Sequence, residues 1–543
     1  MLRLPLRLLV ICCALTATAF AQEPAPRDIV TDGCSLVSPF NVMSATVATS
    51  ENLYPLIWGS ELASSSDTRG LQGTKPAPAW LGTYGSGRVA IWDGHPGFFG
   101  SGADGRDDND RLRIQLIDWL RDNGSMAFAR GHGEKPMDEV LSGSCWQHLL
   151  DSAADPHELD GELTTENLTG SGLLVIGSSW QRITDSELDA VEDFVLNGGG
   201  LLVIGIGWAY SGYADDPDPD FYIPNRLGER FGWRVQFGTI KDPGTPLGEA
   251  GAPAFSVLPL EDYRPARIHV LRGLPQQIDD VVSQAAADPQ DIFVVEGKYT
   301  GLCLPNAYWA ELDSVSGILE LLDSVYLSHN ALIGNANPPY GGERIWFVPQ
   351  VSDEPGWYMH SGNPVVYKAH AAEDIVRTYN TEGRLGWGIV HELGHNMHIS
   401  SCGNNMVPDG TGENWANVWS VWTNNAMGWP NHENYGRAGG DYHEHPDYAK
   451  LSSDNWILLG CLDMIWQRYG WDGMQAFLTD VATRRAAGEK LKDNAERQRL
   501  LIEGMSIGYG IDFSELFAHW GFPVSDETRE LLSKYPKNDI PIP

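Results

Sequence analysis

The sequence predicts an α/β domain built on a parallel sheet, followed by a mainly helical α+β domain. The chain has 543 residues, more than a single core requires. Its first half alternates continuous apolar runs with an amphipathic helix, whereas helical apolar spacing dominates its second half. We therefore expect a first domain over residues 22–275 and a second over residues 285–543.

A strand–helix–strand unit is the clearest pattern of the first half. Residues 172–177 and 201–205 are continuous apolar runs, which are typical of strands buried on both faces. Between them, residues 185–196 have helical apolar spacing, and Thr184 with Glu187 three positions later forms a capping-box pattern. A short unit of this kind joins parallel strands, so it predicts a parallel sheet.

Further elements follow from shorter patterns. We predict strands at 87–92 and 345–348, and helices at 112–120, 315–327, 456–469 and 474–482. The strand at 345–348 precedes the motif described below. We expect it to be an edge strand that pairs with an extended substrate.

The loops after the two buried strands lie where parallel sheets usually bind ligands. Residues 177–180 include no cysteine nucleophile, and no histidine follows nearby as a partner. Residues 205–208 have too few glycines for a dinucleotide fingerprint. These loops favour a structural or binding role over catalysis for the first domain.

The motif with the clearest chemistry is HELGH, in which His391 and His395 are four residues apart. On a helix they share one face, so both imidazoles can bind one divalent metal, which we expect to be Zn²⁺. Glu392 lies between them and is the expected general base, acting on the water that the metal activates. Glu413 follows at a distance that allows a second helix to present a third ligand. Two histidines, one glutamate and an open position are typical of a catalytic zinc site.

The sequence alone does not determine which side chain is the third metal ligand. Glu413 also suits the start of a helix, where a carboxylate favours the helix dipole. His398, Asp409 and Glu433 are rival ligands, and Cys402 is a conceivable one that we expect to be a core or bridged cysteine instead. Beyond the metal, Tyr435 and His443 are candidates for stabilising the transition state by a hydrogen bond.

These motifs resemble those of the M60-like, enhancin-type zinc peptidases. The resemblance rests on residues 391–396 (HELGHN), on residues 412–420 (GENWANVWS) and on residues 356–364 (GWYMHSGNP), and it covers roughly residues 285–525. Residues 356–364 depart from the family's GxMHxGYP pattern at Trp357 and Asn363.

The resemblance implies a gluzincin-type metallopeptidase fold with zinc on His391, His395 and Glu413, and Glu392 as the general base. It also implies glycoprotein substrates such as mucins, with possible contacts to the glycan. Residues 85–98, 111–120 and 172–207 resemble the flavodoxin-like, amidotransferase-like domain of proteins similar to TRP-channel-associated factors. Because a cysteine nucleophile is missing, this domain is expected to be non-catalytic.

Net charge, an N-terminal apolar segment and the cysteine count indicate which partners and which cellular location the protein has. The net charge of −35 disfavours nucleic acid and anionic membranes. Residues 1–21 have a basic start, a short apolar core and a small-residue cleavage site, so they predict a signal peptide and a secreted or periplasmic protein without a membrane span in the mature chain. The five cysteines after this segment allow one or two disulfides.

The sequence therefore indicates a secreted zinc endopeptidase whose partner is a protein or glycoprotein substrate. Two alternatives remain. One is a binding or regulatory protein that keeps the metallopeptidase scaffold without catalysis. The other is a zinc hydrolase that acts on a non-peptide amide.

Overall fold

The computed structural model describes residues 24–39, 41–122, 124–134, 137–214, 217–245, 252–334, 338–350, 358–435 and 446–541. The predicted signal segment and His443 lie outside these residues. Within the described residues, no helix is both long enough and apolar enough to cross a bilayer.

The first half of the chain is an α/β region. Its strands are β1 (Leu36–Val37), β2 (Ser44–Ala48), β3 (Leu53–Ile57), β4 (Ser64–Ser65), β5 (Ala79–Tyr84), β6 (Gly87–Asp93), β7 (Ser125–Ala129), β8 (Pro156–Leu159), β9 (Ser171–Ile176), β10 (Gly200–Gly205), β11 (Trp233–Lys241) and β12 (Phe255–Ser256). Its helices are α1 (Pro26–Val30), α2 (Asn109–Arg121), α3 (Met137–Val140), α4 (Gly143–Asp151), α5 (Thr165–Leu168), α6 (Asp185–Leu196), α7 (Gly207–Tyr213) and α8 (Ile223–Phe231).

A seven-stranded sheet in the order β3-β5-β6-β10-β9-β7-β8 organises this region. The strands β6, β10, β9, β7 and β8 run parallel, and β9, α6 and β10 form the predicted strand–helix–strand unit. Thr184 and Glu187 close the predicted capping box at the start of α6. Apolar clusters cover both faces of the sheet, which explains why its central strands are apolar throughout.

The second half is largely helical. Its strands are β13 (Ile268–Leu271), β14 (Ile292–Glu296), β15 (Thr300–Cys303), β16 (Ile345–Gln350), β17 (Met359–His360) and β18 (Val365–Lys368). Its helices are α9 (Pro275–Asp279), α10 (Val281–Ala287), α11 (Asn306–Trp309), α12 (Val315–Leu332), α13 (Ala371–Glu382), α14 (Trp387–Met397), α15 (Gly412–Met427), α16 (Tyr448–Ser453), α17 (Ile457–Tyr469), α18 (Asp472–Ala486), α19 (Asn494–Tyr509), α20 (Ser514–His519) and α21 (Asp526–Leu532).

The six strands of this half form one sheet in the order β13-β14-β15-β16-β18-β17. The prediction that residues 345–348 form an edge strand is wrong, because β16 pairs with β15 on one side and with β18 on the other. The edge nearest the metal helix is β17, which pairs only with β18 among the described strands. Two residues are too few to show a strand periodicity, so the sequence did not reveal this edge.

A loop of the first half contacts the second half of the chain. Leu71 is buried against the second sheet, in a cluster with Val294, Cys303 and Val348. The disulfides that the sequence allowed are not formed. Cys34, Cys145, Cys303, Cys402 and Cys461 are free thiols, and all except Cys34 are buried.

Candidate metal centre

The helix α14 carries the HELGH motif on a buried segment. Ile389, Val390 and Leu393 are buried in the core, whereas His391 and His395 are partly exposed. Gly394 lies against the neighbouring helix α15, where an added Cβ would come within 2.6 Å of the carbonyl oxygen of Ala416. The absence of a side chain at Gly394 therefore lets the two helices approach closely.

His391, His395 and Glu413 form a cluster between α14 and α15. One ligand atom from each lies within 4.8 Å of the other two. Glu413 Oε2 is 3.2 Å from His391 Nε2, and Glu413 Oε1 is 3.3 Å from His395 Nε2. Two ligand atoms about 2.0–2.1 Å from a tetrahedral zinc ion lie about 3.4 Å apart. These side chains could therefore hold zinc, and among the described residues they are the cluster with this geometry.

The charge of the cluster depends on Glu413. Hydrogen bonds from the His391 and His395 rings hold the pKa of this carboxyl well below its usual value, although burial acts in the opposite direction. The carboxylate is thus ionised over the whole physiological range. A charged oxygen beside two imidazole nitrogens is a suitable ligand set for a divalent cation.

A neighbouring amide orients one of the imidazoles. Asn417 lies one turn after Glu413, and its Oδ1 accepts a hydrogen bond from His391 Nδ1 at 2.7 Å. The Asn417 amide nitrogen in turn donates to the carbonyl of Asn455 at 3.0 Å. This bond leaves His391 Nε2 free to face Glu413, which is the usual role of a group behind a metal-binding histidine.

Glu392 lies beside the cluster and is 9% exposed. Burial raises its pKa, the electrostatic effect of the nearby His391 and His395 rings lowers it, and the Glu413 carboxylate raises it again. The net shift is upwards, so this carboxylate binds a proton more readily than an exposed glutamate does. This property suits a general base that has to hold a proton during a reaction.

The buried amide of Asn396 joins the metal helix to the edge of the sheet. Its Nδ2 donates to the Gly362 carbonyl and its Oδ1 accepts from the Gly362 amide, each at 2.8 Å. The hydroxyl of Tyr340 donates to the same Oδ1 at 3.2 Å. Gly362 follows β17 by two residues, so Asn396 fixes this edge strand beside α14.

A cavity of about 370 Å³ opens at the start of α14. It is bounded by Met359 of β17, by Trp387 and by His432. The His432 ring stacks on Trp456 with 4.6 Å between centroids. Burial lowers the pKa of His432, which favours its neutral form.

Asn396 and Asn417 lie within the sequence motifs, but the motifs did not predict their contacts, and His432 lies outside the motifs. Asn417 has a signal that could have revealed it, since a residue four positions after Glu413 shares its helix face. Asn396 immediately follows the HELGH motif, but its partner Gly362 is 34 residues away. His432 is brought to the site by a loop, and no local pattern indicates this.

The other candidate residues lie outside the cluster. His398 is fully buried beside Trp415 and Trp419, and Asp409 pairs with Arg497 at 3.1 Å. Cys402 is a buried thiol whose Sγ donates to the carbonyl of Leu478, and it does not belong to the cluster. Glu433 is exposed and borders the 370 Å³ cavity.

Two candidates for stabilising the transition state remain predictions. The hydroxyl of Tyr435 donates to Asp463 Oδ1, which holds it towards α17. His443 belongs to the residues that the structure does not describe.

The second half of the chain, which carries this cluster, is similar to a known family of peptidases. Residues 293–521 match the family model of Peptidase M60, enhancin and enhancin-like. The resemblance to M60-like peptidases predicted from the sequence is thereby confirmed for this half of the chain.

Individual relatives share only part of the chain. TRPM8 channel-associated factor 2 of Mus musculus is 26% identical over 240 residues, which are 43% of this chain and 26% of that protein. The chain thus spans about a quarter of the length of the curated relatives it matches.

Several solved structures are similar over part of the chain, and two of them serve as examples. A conserved protein of unknown function from Bacillus anthracis has 19% identity and a TM-score of 0.43, over 56% of this chain and 66% of that one. The catalytic module of the metalloprotease ZmpA from Clostridium perfringens has 19% identity and a TM-score of 0.39, over 57% of this chain and 61% of that one.

Proposed function

We propose that the protein is a zinc-dependent endopeptidase of the gluzincin type. The observation that carries this proposal is the cluster of His391, His395 and Glu413, whose 3.2 and 3.3 Å spacings suit a tetrahedral ion. The match of residues 293–521 to the M60 peptidase family supports it independently.

The residues of the chain divide the chemistry among them. Zinc, when bound, would polarise the scissile carbonyl and make water more acidic. Glu392 takes a proton from the attacking water on a carboxylate oxygen and delivers it to the leaving amine nitrogen. Its raised pKa supports the second step, because the carboxyl keeps the proton until the amine can accept it.

The surroundings of the cluster suggest how a peptide binds. Among the described residues, β17 pairs with β18 alone, so its other side can accept an extended substrate at Met359 and His360. The 370 Å³ cavity beside Trp387 and His432 can receive a substrate side chain. From the family resemblance we extend the proposal to glycoproteins such as mucins, and from the predicted signal segment to a secreted or periplasmic location.

The experiment compares the purified full chain with its Glu392→Gln variant on a mucin-type glycoprotein and on a peptide library. Glu320→Gln is a matched control, since Glu320 is exposed on α12. We expect cleavage by the native protein and by the control, loss of at least about 100-fold in Glu392→Gln, and loss after chelation of the metal.

The alternatives give different results. Zinc binding without cleavage of any glycoprotein or peptide would favour a binding or regulatory protein on a metallopeptidase scaffold. Release of an amine from a non-peptide amide, with peptides left intact in mass spectra, would favour the second alternative.

A further inference from the structure

The first half of the chain exposes a group of aromatic rings that the proposed peptidase chemistry does not use. Trp180 is 48% exposed, Tyr213 is 67% exposed and Phe221 is 40% exposed. Exposed large apolar side chains that occur singly need no explanation, whereas a group of them usually marks a binding surface.

These rings lie at the edge of the sheet where ligands usually bind. Trp180 is in the loop that follows β9, and Tyr213 ends α7, which follows β10. Because β9 and β10 are parallel, both loops leave the sheet at the same edge, at the carboxyl ends of the strands. Ligand sites of open parallel sheets are usually at this edge.

The two most exposed rings have a shared orientation. The planes of Trp180 and Tyr213 are parallel within 7°, with 6.4 Å between their centroids. Trp208 packs edge-on against Tyr213 at 6.5 Å. The guanidinium of Arg182, two residues after Trp180, lies 3.6 Å from the centre of the Phe221 ring. The loop that carries Trp180 and Arg182 therefore contacts both Tyr213 and Phe221.

Hydrogen bonds fix the loop around Trp180 and the side chain of Trp208. The Ser179 hydroxyl donates a hydrogen bond to the carbonyl of His132 and accepts one from the backbone amide of Gln181 at 3.1 Å. The loop is therefore fixed on both sides of Trp180. The amide of Trp208 donates to Ser44 Oγ at 2.8 Å, and its indole nitrogen donates to the Val42 carbonyl at 3.2 Å. A surface fixed in this way loses little entropy when a ligand binds.

We propose that Trp180 and Tyr213 form a carbohydrate-binding surface, separate from the metal centre. An aromatic ring offers a broad apolar face to the C–H side of a sugar, and the Tyr213 hydroxyl and the Gln181 amide can bond to its hydroxyl groups.

The negative charge of the chain favours a neutral saccharide over nucleic acid as the ligand that stacks on these rings. Nucleic-acid bases also stack on aromatic side chains, but the net charge of −35 repels a polyanion. A neutral saccharide meets no such penalty. A cationic peptide is the other ligand that exposed aromatic rings on an acidic chain can attract, and the experiment below separates it from a saccharide.

The test uses the full chain, saccharide probes that contain no peptide bond and one cationic peptide. Lactose, cellobiose, maltose, chitobiose and a methyl glycoside of N-acetylgalactosamine are titrated by calorimetry and by tryptophan fluorescence, with decalysine as the cationic probe. We expect saturable binding of at least one saccharide, and an affinity at least about tenfold lower in Trp180→Ala and in Tyr213→Ala.

Two controls define the result. Tyr213→Phe keeps the ring and should keep most of the affinity. Leu274→Ala removes a side chain of similar exposure, 65%, far from the rings in sequence and should have no effect. Saccharide binding should survive removal of the metal, so its outcome does not depend on the peptidase proposal.

Two outcomes would overturn the proposal. One is that no saccharide binds, whether or not decalysine does, and the other is equal saccharide binding by the native protein and by both alanine variants.

Discussion

His391 donates a hydrogen bond from Nδ1 to Asn417 Oδ1 at 2.7 Å, so a residue of α15 sets the orientation of a ligand on α14. Removing the acceptor frees the ring to turn away from Glu413. We expect Asn417→Ala to weaken zinc binding by about 10–100-fold. Competition with a fluorescent chelator measures this affinity.

Two variants complete that experiment. Asn417→Asp keeps an acceptor and should retain more affinity than the alanine variant. Asn425→Ala removes an exposed asparagine of the same helix and should bind zinc normally. Equal zinc affinity in the native protein and Asn417→Ala would show that this bond does not orient the ligand.

Gly394 determines how closely the two metal-binding helices pack. In Gly394→Ala the new Cβ would meet the Ala416 carbonyl oxygen at 2.6 Å, and neither backbone can move freely. Alanine gains about 1 kcal/mol of helix propensity, but overpacking costs about 1–3 kcal/mol. We expect a net loss of stability and weaker zinc binding, measured by urea unfolding and by zinc titration.

Gly212 provides the matched control, because it lies inside α7 with no atom within 4 Å of an added Cβ. Gly212→Ala should leave the stability unchanged or raise it. If Gly394→Ala proved as stable as Gly212→Ala, close packing at this point would not be required.

Asn396 is expected to act on substrate binding more than on the metal. Asn396→Leu removes three hydrogen bonds and leaves the backbone of Gly362 without partners on this side. A lost buried hydrogen bond costs about 1–3 kcal/mol, so we expect kcat/KM for a peptide to fall by about 5–150-fold. Zinc affinity should change much less.

Tyr340→Phe removes only the weakest of those bonds and should have a smaller effect on kcat/KM. Parallel measurement of kcat/KM and zinc affinity separates the two roles. A variant Asn396→Leu that lost zinc and activity together would indicate a general defect of α14 instead.

The helices around the site are also held by a buried histidine that titrates. His329 Nε2 donates to the carbonyl of Val390 at 3.0 Å, and its Nδ1 lies 2.7 Å from Thr423 Oγ1. Burial lowers the pKa of His329 from 6.5 to about 4, so the folded protein keeps the ring neutral. A depressed pKa means that the stability is present above pH 6.5 and is lost as the pH falls towards 4.

We therefore expect His329→Gln, which cannot titrate, to lose less stability than the native protein between pH 7 and pH 4. The difference should amount to about 3 kcal/mol, because one pKa unit corresponds to about 1.4 kcal/mol. Urea unfolding at a series of pH values measures it. Parallel pH profiles of the two proteins would contradict the neutral, buried state of His329.

The features that the sequence predicted correctly are local ones. The capping box of Thr184 and Glu187 and the spacing of His391 and His395 depend on neighbouring turns of one helix, so the residues alone specify them. The parallel arrangement of β9 and β10 follows from the short crossover between them.

The features that the sequence missed depend on residues far apart in the chain. The interior position of β16 follows from pairing with β15 and β18, and no pattern within residues 345–348 encodes it. The bond from Asn396 to Gly362 and the bond from Asn417 to His391 likewise join separate segments. Strand order and buried polar partners are set by tertiary packing, which periodicity does not record.

The most direct measurement is anomalous diffraction at the zinc absorption edge, from crystals of the zinc-loaded protein. We predict one peak, about 2.0–2.2 Å from Nε2 of His391, from Nε2 of His395 and from an oxygen of Glu413, with a fourth position open to solvent. A zinc ion bound by other residues, or no zinc between α14 and α15, would contradict the proposed metal centre.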